Sequence, residues 1–405
     1  MKIAVVSKSS AQGGGASRFA EDLASWLVEA GQEVDHLCAF LPEHPREFQK
    51  QLYPDGIGGK LCRFIHRRTR QVGLNEIVPI EYFARLRRLL ATYDVVHFHD
   101  HYETYSLVTP ALLSNRTRVF FTAHDCLHYT GHGIYPPLSE QSLANRASMP
   151  VRLSKLVNRL VAKRFAITYI YPSRWLMNEA WKHLCFHKEP VLLPYGFDAR
   201  PYDFQTRSEA RRRLGLAPDR SIICISAHYL SDKRKGADFA LRAVAAVKDL
   251  NPLVLLVGNP MNDVEKLLPW VQFYFTGFVE SRERLGLLYS AADIFLFCPL
   301  QDNLPISVQE AMAAATPIVG FATGGVPEMV ENGKSAWLVP TGDQEALNTT
   351  LREAIVSSST KQRGLAARET VLNQFSKERC VQSHLTIYSG SDLNSGTKNE
   401  TCLLL

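Results

Sequence analysis

The 405-residue sequence contains no run of 18 or more apolar residues, which argues against a membrane-spanning helix. Its start, MKIAVVSKSS, turns polar too soon for a secretory signal and reads instead as a first strand. The eight cysteines are scattered, with no C-x-x-C pair and no ligand-like spacing, which argues against structural zinc. Cys224 and Cys298 lie in apolar segments and read as reduced core thiols, in keeping with a cytosolic protein. The third glycine of a dinucleotide-binding turn is missing: after Gly13 and Gly15 that position holds Arg18. The missing glycine argues against a nicotinamide-dependent oxidoreductase.

Acid is missing over one long stretch. From Gln141 to Asn178 there is no Asp or Glu, while Arg146, Arg152, Lys155, Arg159, Lys163 and Arg164 are basic. The net charge of +6 is unevenly placed, because residues 1–199 hold 24 Lys/Arg against 18 Asp/Glu and the rest of the chain is neutral. Two further basic clusters lie in this half: Lys60, Arg63, Arg67, Arg68 and Arg70, then Arg85, Arg87 and Arg88 on a predicted helix over 81–91. This is a local basic surface, and no nucleic-acid partner is expected. The segment 151–165 predicts an amphipathic helix with Leu153, Leu156, Val157, Leu160 and Val161 on its apolar side. Two readings stay open for it: a helix lying on an anionic membrane surface, or a core-facing helix with a solvated basic face.

What is present is a repeated alternation of short apolar runs and helical stretches, long enough for two α/β domains. Strands are predicted at 3–6, 34–40, 94–100, 119–125 and 168–171, with 42–60 and 199–220 read as loop and connection. The glycine loop Gly13-Gly14-Gly15 leads into a helix carrying Phe19, Leu23, Trp26 and Leu27 on one face. Two strands end in polar residues, His97-Phe98-His99-Asp100 and Thr122-Ala123-His124-Asp125, on the side where ligands of open parallel sheets bind. Residues 128–150 read as a long loop. A second domain opens with a strand at 221–227, followed by His228-Tyr229-Leu230-Ser231-Asp232-Lys233-Arg234-Lys235-Gly236, where cations could hold a diphosphate. Strands follow at 253–258 and 273–278. Asp343 is placed as the N-cap of a helix reaching Val356, and 375–388 as a last helix.

The stretch that organises the second half is LQDNLPISVQEAMAAATPIVGFATGGVPEMV, Leu300 to Val330. It reads as the end of a buried strand (292–297), a loop, a helix from Ser307 to Ala315, a strand at 318–321 and a glycine turn. Asp302 stands in the loop at the strand's carboxyl end and Glu310 inside the apolar helix. The amides of Asn303, Leu304 and Ser307 lie near the helix N-terminus, where anions bind. Phosphate-binding amides beside two carboxylates suit a ligand with both phosphate and hydroxyl groups, such as a nucleotide sugar. The plainer alternative is that Asp302 caps the helix and Glu310 is a solvated face residue.

Asp302 and Glu310, with seven residues between them, resemble the acid-x7-acid signature of glycosyltransferase family 4, retaining enzymes of the GT-B fold. The resemblance extends over Tyr289-Ser290-Ala291-Ala292-Asp293, Glu310-Ala311-Met312-Ala313, Thr316-Pro317-Ile318-Val319 and Gly324-Gly325-Val326-Pro327-Glu328. Asp302 departs from it where Glu is usual, Ile306 where one branch has Asn, Ala315 where Gly is usual, and Tyr195 where the linker strand has Asn. No Arg stands at the usual distance before Lys235.

The resemblance implies two facing Rossmann-like doubly wound domains with an interdomain cleft. Residues 1–197 would form the acceptor side and 198–375 the nucleotide-sugar donor side. Residues 376–388 would be a helix crossing back, and 389–405 a disordered tail. The tail ends in Cys402-Leu403-Leu404-Leu405, which has the form of a prenylation signal and is read as coincidence. The implied reaction is retaining transfer of a sugar from a UDP- or GDP-sugar, by a metal-independent hexosyltransferase, to a polysaccharide or lipid-linked acceptor. The nucleotide sugar is a co-substrate, and no cofactor or metal is expected, since the D-x-D loop of metal-dependent transferases is absent. Asp302, Lys235 and His124 are the implied catalytic residues. Glu310, Arg234, Asn303, Leu304, Gly14 and Gly15 would bind the donor, and His99, Asp100 and Asp125 are weaker acceptor-side candidates. The expected setting is the cytoplasm, at the inner face of the membrane if the acceptor is lipid-linked. An inactive sugar-nucleotide-binding relative, an epimerase and a phosphorylase of the same architecture remain alternatives.

Overall fold

The computed structural model describes residues 1–10, 13–53, 56–72, 74, 77–99, 101, 104–131, 133–136, 148–202, 206–259 and 264–391. Asp100, Arg146, most of the 128–150 loop and the tail beyond 391 lie outside the described residues. The chain divides into two compact units, Met1–Gly196 with the chain from Glu378 on, and Phe197–Lys377.

The first unit holds a seven-stranded parallel sheet. Its strands are β1 (Lys2–Ser9), β2 (Glu33–Phe40), β3 (Gln49–Gln51), β4 (Val95–His99), β5 (Arg118–Thr122), β6 (Ile167–Tyr171) and β7 (Val191–Leu192). They lie in the order β3-β2-β1-β4-β5-β6-β7. The order reverses at β1, which pairs with both β2 and β4. This is the switch point beside which doubly wound sheets bind ligands. Strands covered on both faces must be apolar along their length, and Ile3, Ala4, Val5 and Val6 are all fully buried. The helix Gly15–Glu29 buries Phe19, Leu23, Trp26 and Leu27, as the 3.6-residue period requires.

Several elements differ from the sequence reading. Residues 42–60, read as loop, contain β3 and the start of the helix Ile57–Gln71. The strand is only three residues long and polar, so it carries no apolar period to detect. The predicted helix at 81–91 is a π-turn (Tyr82–Leu86), a short α segment and a 3-10 turn. The helix near 151–165 spans Met149–Arg164, but it turns Leu153, Leu156 and Leu160 to solvent.

The second unit holds six parallel strands: β8 (Ile222–Tyr229), β9 (Leu253–Asn259), β10 (Gln272–Phe275), β11 (Ile294–Phe297), β12 (Ile318–Phe321) and β13 (Ala336–Val339). Their order is β10-β9-β8-β11-β12-β13, so the switch point lies between β8 and β11, which pair through Ile223–Ile294 and Cys224–Phe295. The presumed connection 199–220 contains the helix Arg207–Leu214. Its Arg207 and Arg211 both bond the Asp293 carboxylate at 2.7 Å, and that carboxylate also accepts the Ile222 N–H. Asp293 thereby ties the entry of β8, the entry of β11 and this helix together. Asp343 caps the helix Gln344–Val356 through the Ala346 N–H, and the stretch at 375–388 resolves into the helix Lys377–Ser389, preceded by the helix Thr360–Gln374.

Candidate functional site

In the second unit the switch point is furnished by loops after β8 and β11. After β8, a 3-10 turn Lys233–Lys235 is capped by Asp232, whose carboxylate accepts the Arg234 N–H at 2.9 Å and the Arg234 guanidinium at 3.1 Å. Gly236 then takes φ +66°, and a Cβ there would stand 1.8 Å from the Cys298 carbonyl oxygen. Only glycine lets these two backbones approach so closely. The close approach brings Lys235 to the loop after β11: its Nζ lies 2.7 Å from Asp302 Oδ2. Arg234 donates to the Gln301 carbonyl at 2.9 Å, with its Nη1 3.9 Å from the same Asp302 oxygen. Gly324, φ +58°, packs against the backbone of Asp302 from the far side, its missing Cβ 1.8 Å from the Asp302 oxygen.

Asp302 is 8 % exposed. Burial pushes its carboxyl up, but Lys235, Arg234, the Lys235 hydrogen bond and the Asn303 N–H together outweigh burial and hold it below the usual carboxylate range. The Asn303 amide, read as an anion donor, donates to Asp302 Oδ1 at 3.0 Å. A ligand at that amide must replace the carboxylate. Leu304 is buried at 3 %. The helix that follows runs Ile306–Ala313, with Pro305 as its N-cap and no side-chain cap bond.

Glu310, on the inner side of that helix, is 4 % exposed, which removes the alternative of a solvated face residue. Tyr202 Oη donates to Oε1 at 3.0 Å and Tyr289 Oη to Oε2 at 3.2 Å. Burial, and after it the Glu310 charge, push the Tyr289 phenol up, so it stays a donor. Neither tyrosine was singled out from sequence. Tyr289 sits three residues before Ala292 in the motif itself, whereas Tyr202 comes from the supposed connection.

In the first unit, β4 and β5 bring His97, His99 and His124 together with His384 and Tyr388 of the helix Lys377–Ser389. His97 bonds Tyr388 Oη and Thr122 Oγ1. His99 Nδ1 lies 3.0 Å from His124 Nε2, and His124 Nδ1 lies 2.6 Å from Tyr195 Oη. Both His124 nitrogens therefore already have partners inside this unit, and the Tyr195 phenol stacks on its ring. His99 is fully buried and its Nε2 has no partner among the described residues. Burial holds His124 down to about 3 and His97 and His99 well below the usual histidine range, where nearby imidazoles lower them further. Asp125 Oδ1 accepts the Leu127 N–H at 2.8 Å and starts the next turn. A small pocket beside it is lined by His101, Phe121, Thr122, His124, Asp125 and His128, and the buried His101 Nε2 has no partner among the described residues. The period-2 spacing of His97, His99 and His101 was the available signal for His101. The glycine loop opens the helix Gly15–Glu29: Gly14 is its N-cap at φ +105°, and a Cβ on Gly13 would strike Ser9 and Ser17 Oγ.

Two family descriptions match the chain, "glycosyl transferase 4-like domain" over residues 14–196 and "glycosyl transferases group 1" over residues 206–368. Together the two matches span most of the chain, which is a glycosyltransferase of the GT-B fold acting on sugar donors. One relative, N-acetyl-alpha-D-glucosaminyl L-malate synthase of Bacillus anthracis, is 21% identical over 93% of both chains. The solved structure of sucrose-phosphate synthase from Thermosynechococcus elongatus superposes with a TM-score of 0.71 at 19% identity, covering 96% of this chain and 98% of that one. HepE of Anabaena, solved in complex with UDP-glucose, gives a TM-score of 0.68 at 17% identity over 96% and 100%. At these identities the two structures speak to the fold.

Proposed function

We propose that the protein transfers a hexose from a UDP- or GDP-sugar to an acceptor hydroxyl, with retention at the anomeric carbon and without a metal. The observation that carries the reading is the Lys235–Asp302 pair, flanked by Arg234, at the carboxyl ends of β8 and β11. A diphosphate needs about two cations placed before the reaction begins, and Lys235 and Arg234 are those cations. Glu310, held between two tyrosines, would accept the ribose hydroxyls. Asp302, with the Asn303 and Leu304 amides, would contact hydroxyls of the sugar. A relative in fold solved with UDP-glucose supports uridine as the base.

The bond from the anomeric carbon to the phosphate oxygen breaks as the bond to the acceptor oxygen forms on the same face. The acceptor's proton passes to the departing phosphate oxygen, whose growing charge Lys235 and Arg234 stabilise. Asp302 is therefore given no role as general base. In the first unit His124 and Asp125 are the proposed ligand-facing side chains, with the buried His99 behind His124 and Gly14 and Gly15 at the loop after β1. The acceptor is proposed to be a saccharide or lipid-linked oligosaccharide, met at an anionic membrane surface.

A panel of nucleotide sugars tested by thermal shift checks the reading. One UDP- or GDP-sugar should raise the melting temperature of the wild type, and Glu310→Ala and Lys235→Ala should abolish the shift. No response to any nucleotide sugar, or an equal response in both variants, refutes the donor site.

A further inference from the structure

We propose that the first unit docks on an anionic lipid bilayer through the outer faces of two helices, Met149–Arg164 and Ile57–Gln71. This deepens the membrane part of the reading above. Binding to vesicles requires neither donor nor turnover, so the surface and the reaction can fail separately.

The helix Met149–Arg164 exposes Met149, Leu153, Leu156 and Leu160 by 78, 45, 53 and 41 %. Their spacing of four, three and four residues places them on one stripe. The opposite stripe, Val151, Ser154, Asn158, Val161 and Ala162, is buried. The helix thus gives two valines and three small or polar residues to the core and presents its leucines outward, where packing alone would bury them. Exposed Arg152, Arg159, Lys163 and Arg164 flank the leucines, and no acid occurs from Gln141 to Asn178.

The helix Ile57–Gln71 repeats the pattern. Ile57, Leu61 and Phe64 are 85, 50 and 54 % exposed, while Cys62 and His66 face inward. Lys60, Arg67 and Arg68 are exposed beside them, and the helix contains no acid. Cys62 belongs to the same buried cluster as Val161 and Ala162, so both helices cover one face of the first sheet and both stripes belong to one outer layer. The long outer helices of the second unit carry both signs: Gln344–Val356 has Glu345, Arg352 and Glu353, and Thr360–Gln374 has Lys361, Arg363, Arg368 and Glu369.

Charge chooses the occupant. Within each helix the apolar stripe is flanked by cations and by no acid, which matches a surface that is negative throughout, whatever the register, and that offers apolar depth beneath the charge. A leaflet rich in anionic headgroups has both properties. The leucines and Phe64 enter the headgroup–acyl boundary while the Arg and Lys heads remain at the phosphates.

The test is flotation of the full chain with phosphatidylcholine vesicles, with and without about one third phosphatidylglycerol. Binding is expected to the anionic vesicles and to weaken strongly near 1 M salt, where screening acts within about 3 Å. Leu153→Ser/Leu156→Ser/Leu160→Ser and, separately, Arg152→Gln/Lys163→Gln/Arg164→Gln should each lower the partition constant roughly tenfold or more. Leu61→Ser/Phe64→Ser should lower it as well. Leu365→Ser/Leu372→Ser, exposed on the second unit, should leave it unchanged, and matched thermal melts confirm that each variant folds. Equal binding to neutral vesicles, equal binding by the leucine variant, or a solution dimer that the same substitutions dissociate would overturn the proposal.

Discussion

Lys235 and Asp302 are the residues on which the proposed donor site turns. Lys235→Ala should lower transfer about 10²–10³-fold, as loss of one preorganised charge does, and this is read from single-turnover rates. It should cost only about 1–2 kcal/mol of stability, because the pair is partly exposed and Arg234 remains nearby. The Asp302 carboxyl is depressed in the folded protein. Its stabilising contribution is therefore present above the unfolded carboxylate value and lost as pH falls through the folded one; in Lys235→Ala that acid-side dependence should flatten. Gly324→Ala should be worse for the fold than for charge. At φ +58° with a Cβ 1.8 Å from the Asp302 oxygen, it is expected to lower stability on the order of 2–4 kcal/mol by denaturant titration. Asp302, Glu310 and Lys235 were legible in the sequence because one gapless motif and one Lys-Gly pair mark them. Tyr202 was not, since a single tyrosine in a polar connection has no period and no spacing to announce its partner; His101 shares the period-2 spacing of His97 and His99, the one signal that could have found it.

At the scale of elements, the strands were the most readable part. Continuous apolar runs such as Ile294–Phe297 leave no other placement in a sheet covered on both faces. The short polar β3 was invisible for the opposite reason, having no hydrophobic repeat, whereas Tyr82, Leu86 and Leu90 recur at helical spacing and are buried, which announces a helix but not its π and 3-10 turns. The sequence of the helix Met149–Arg164 is plainly amphipathic yet supports two readings, because a leucine stripe is ordinarily a core stripe. Its two faces make a stability test. Val161→Ala, at 4 % exposure in the main cluster, should cost about 1–2.5 kcal/mol, whereas Leu160→Ala, at 41 %, should cost less than about 1 kcal/mol. Urea midpoints with an unchanged slope check both.

Across the whole molecule the thirteen histidines are divided very unequally, since only His228 belongs to the second unit. In the first unit burial lowers His36, His97, His99, His101, His124, His128 and His384. A buried neutral imidazole takes up its proton in the unfolded chain near pH 6.5 but not in the folded one. Stability therefore falls as pH drops from there toward the folded values, by about 1.4 kcal/mol per pH unit for each such group. Acidification from pH 7 to 5 should move the first unit's calorimetric transition down and separate it from the second's. A single transition that shifts as one would contradict this.

The contact between Lys235 and the Asp302 carboxylate has one more consequence. Without ligand, the side chain that would greet a diphosphate is already satisfied by an anion belonging to the protein. The site carries its own competitor, and the affinity measured for any phosphate is the intrinsic one reduced by the fraction of time Lys235 is released. Asp302→Asn removes the competitor. That variant should bind inorganic pyrophosphate more tightly than the wild type while transferring sugar more slowly, so that affinity and turnover move in opposite directions through a single oxygen atom.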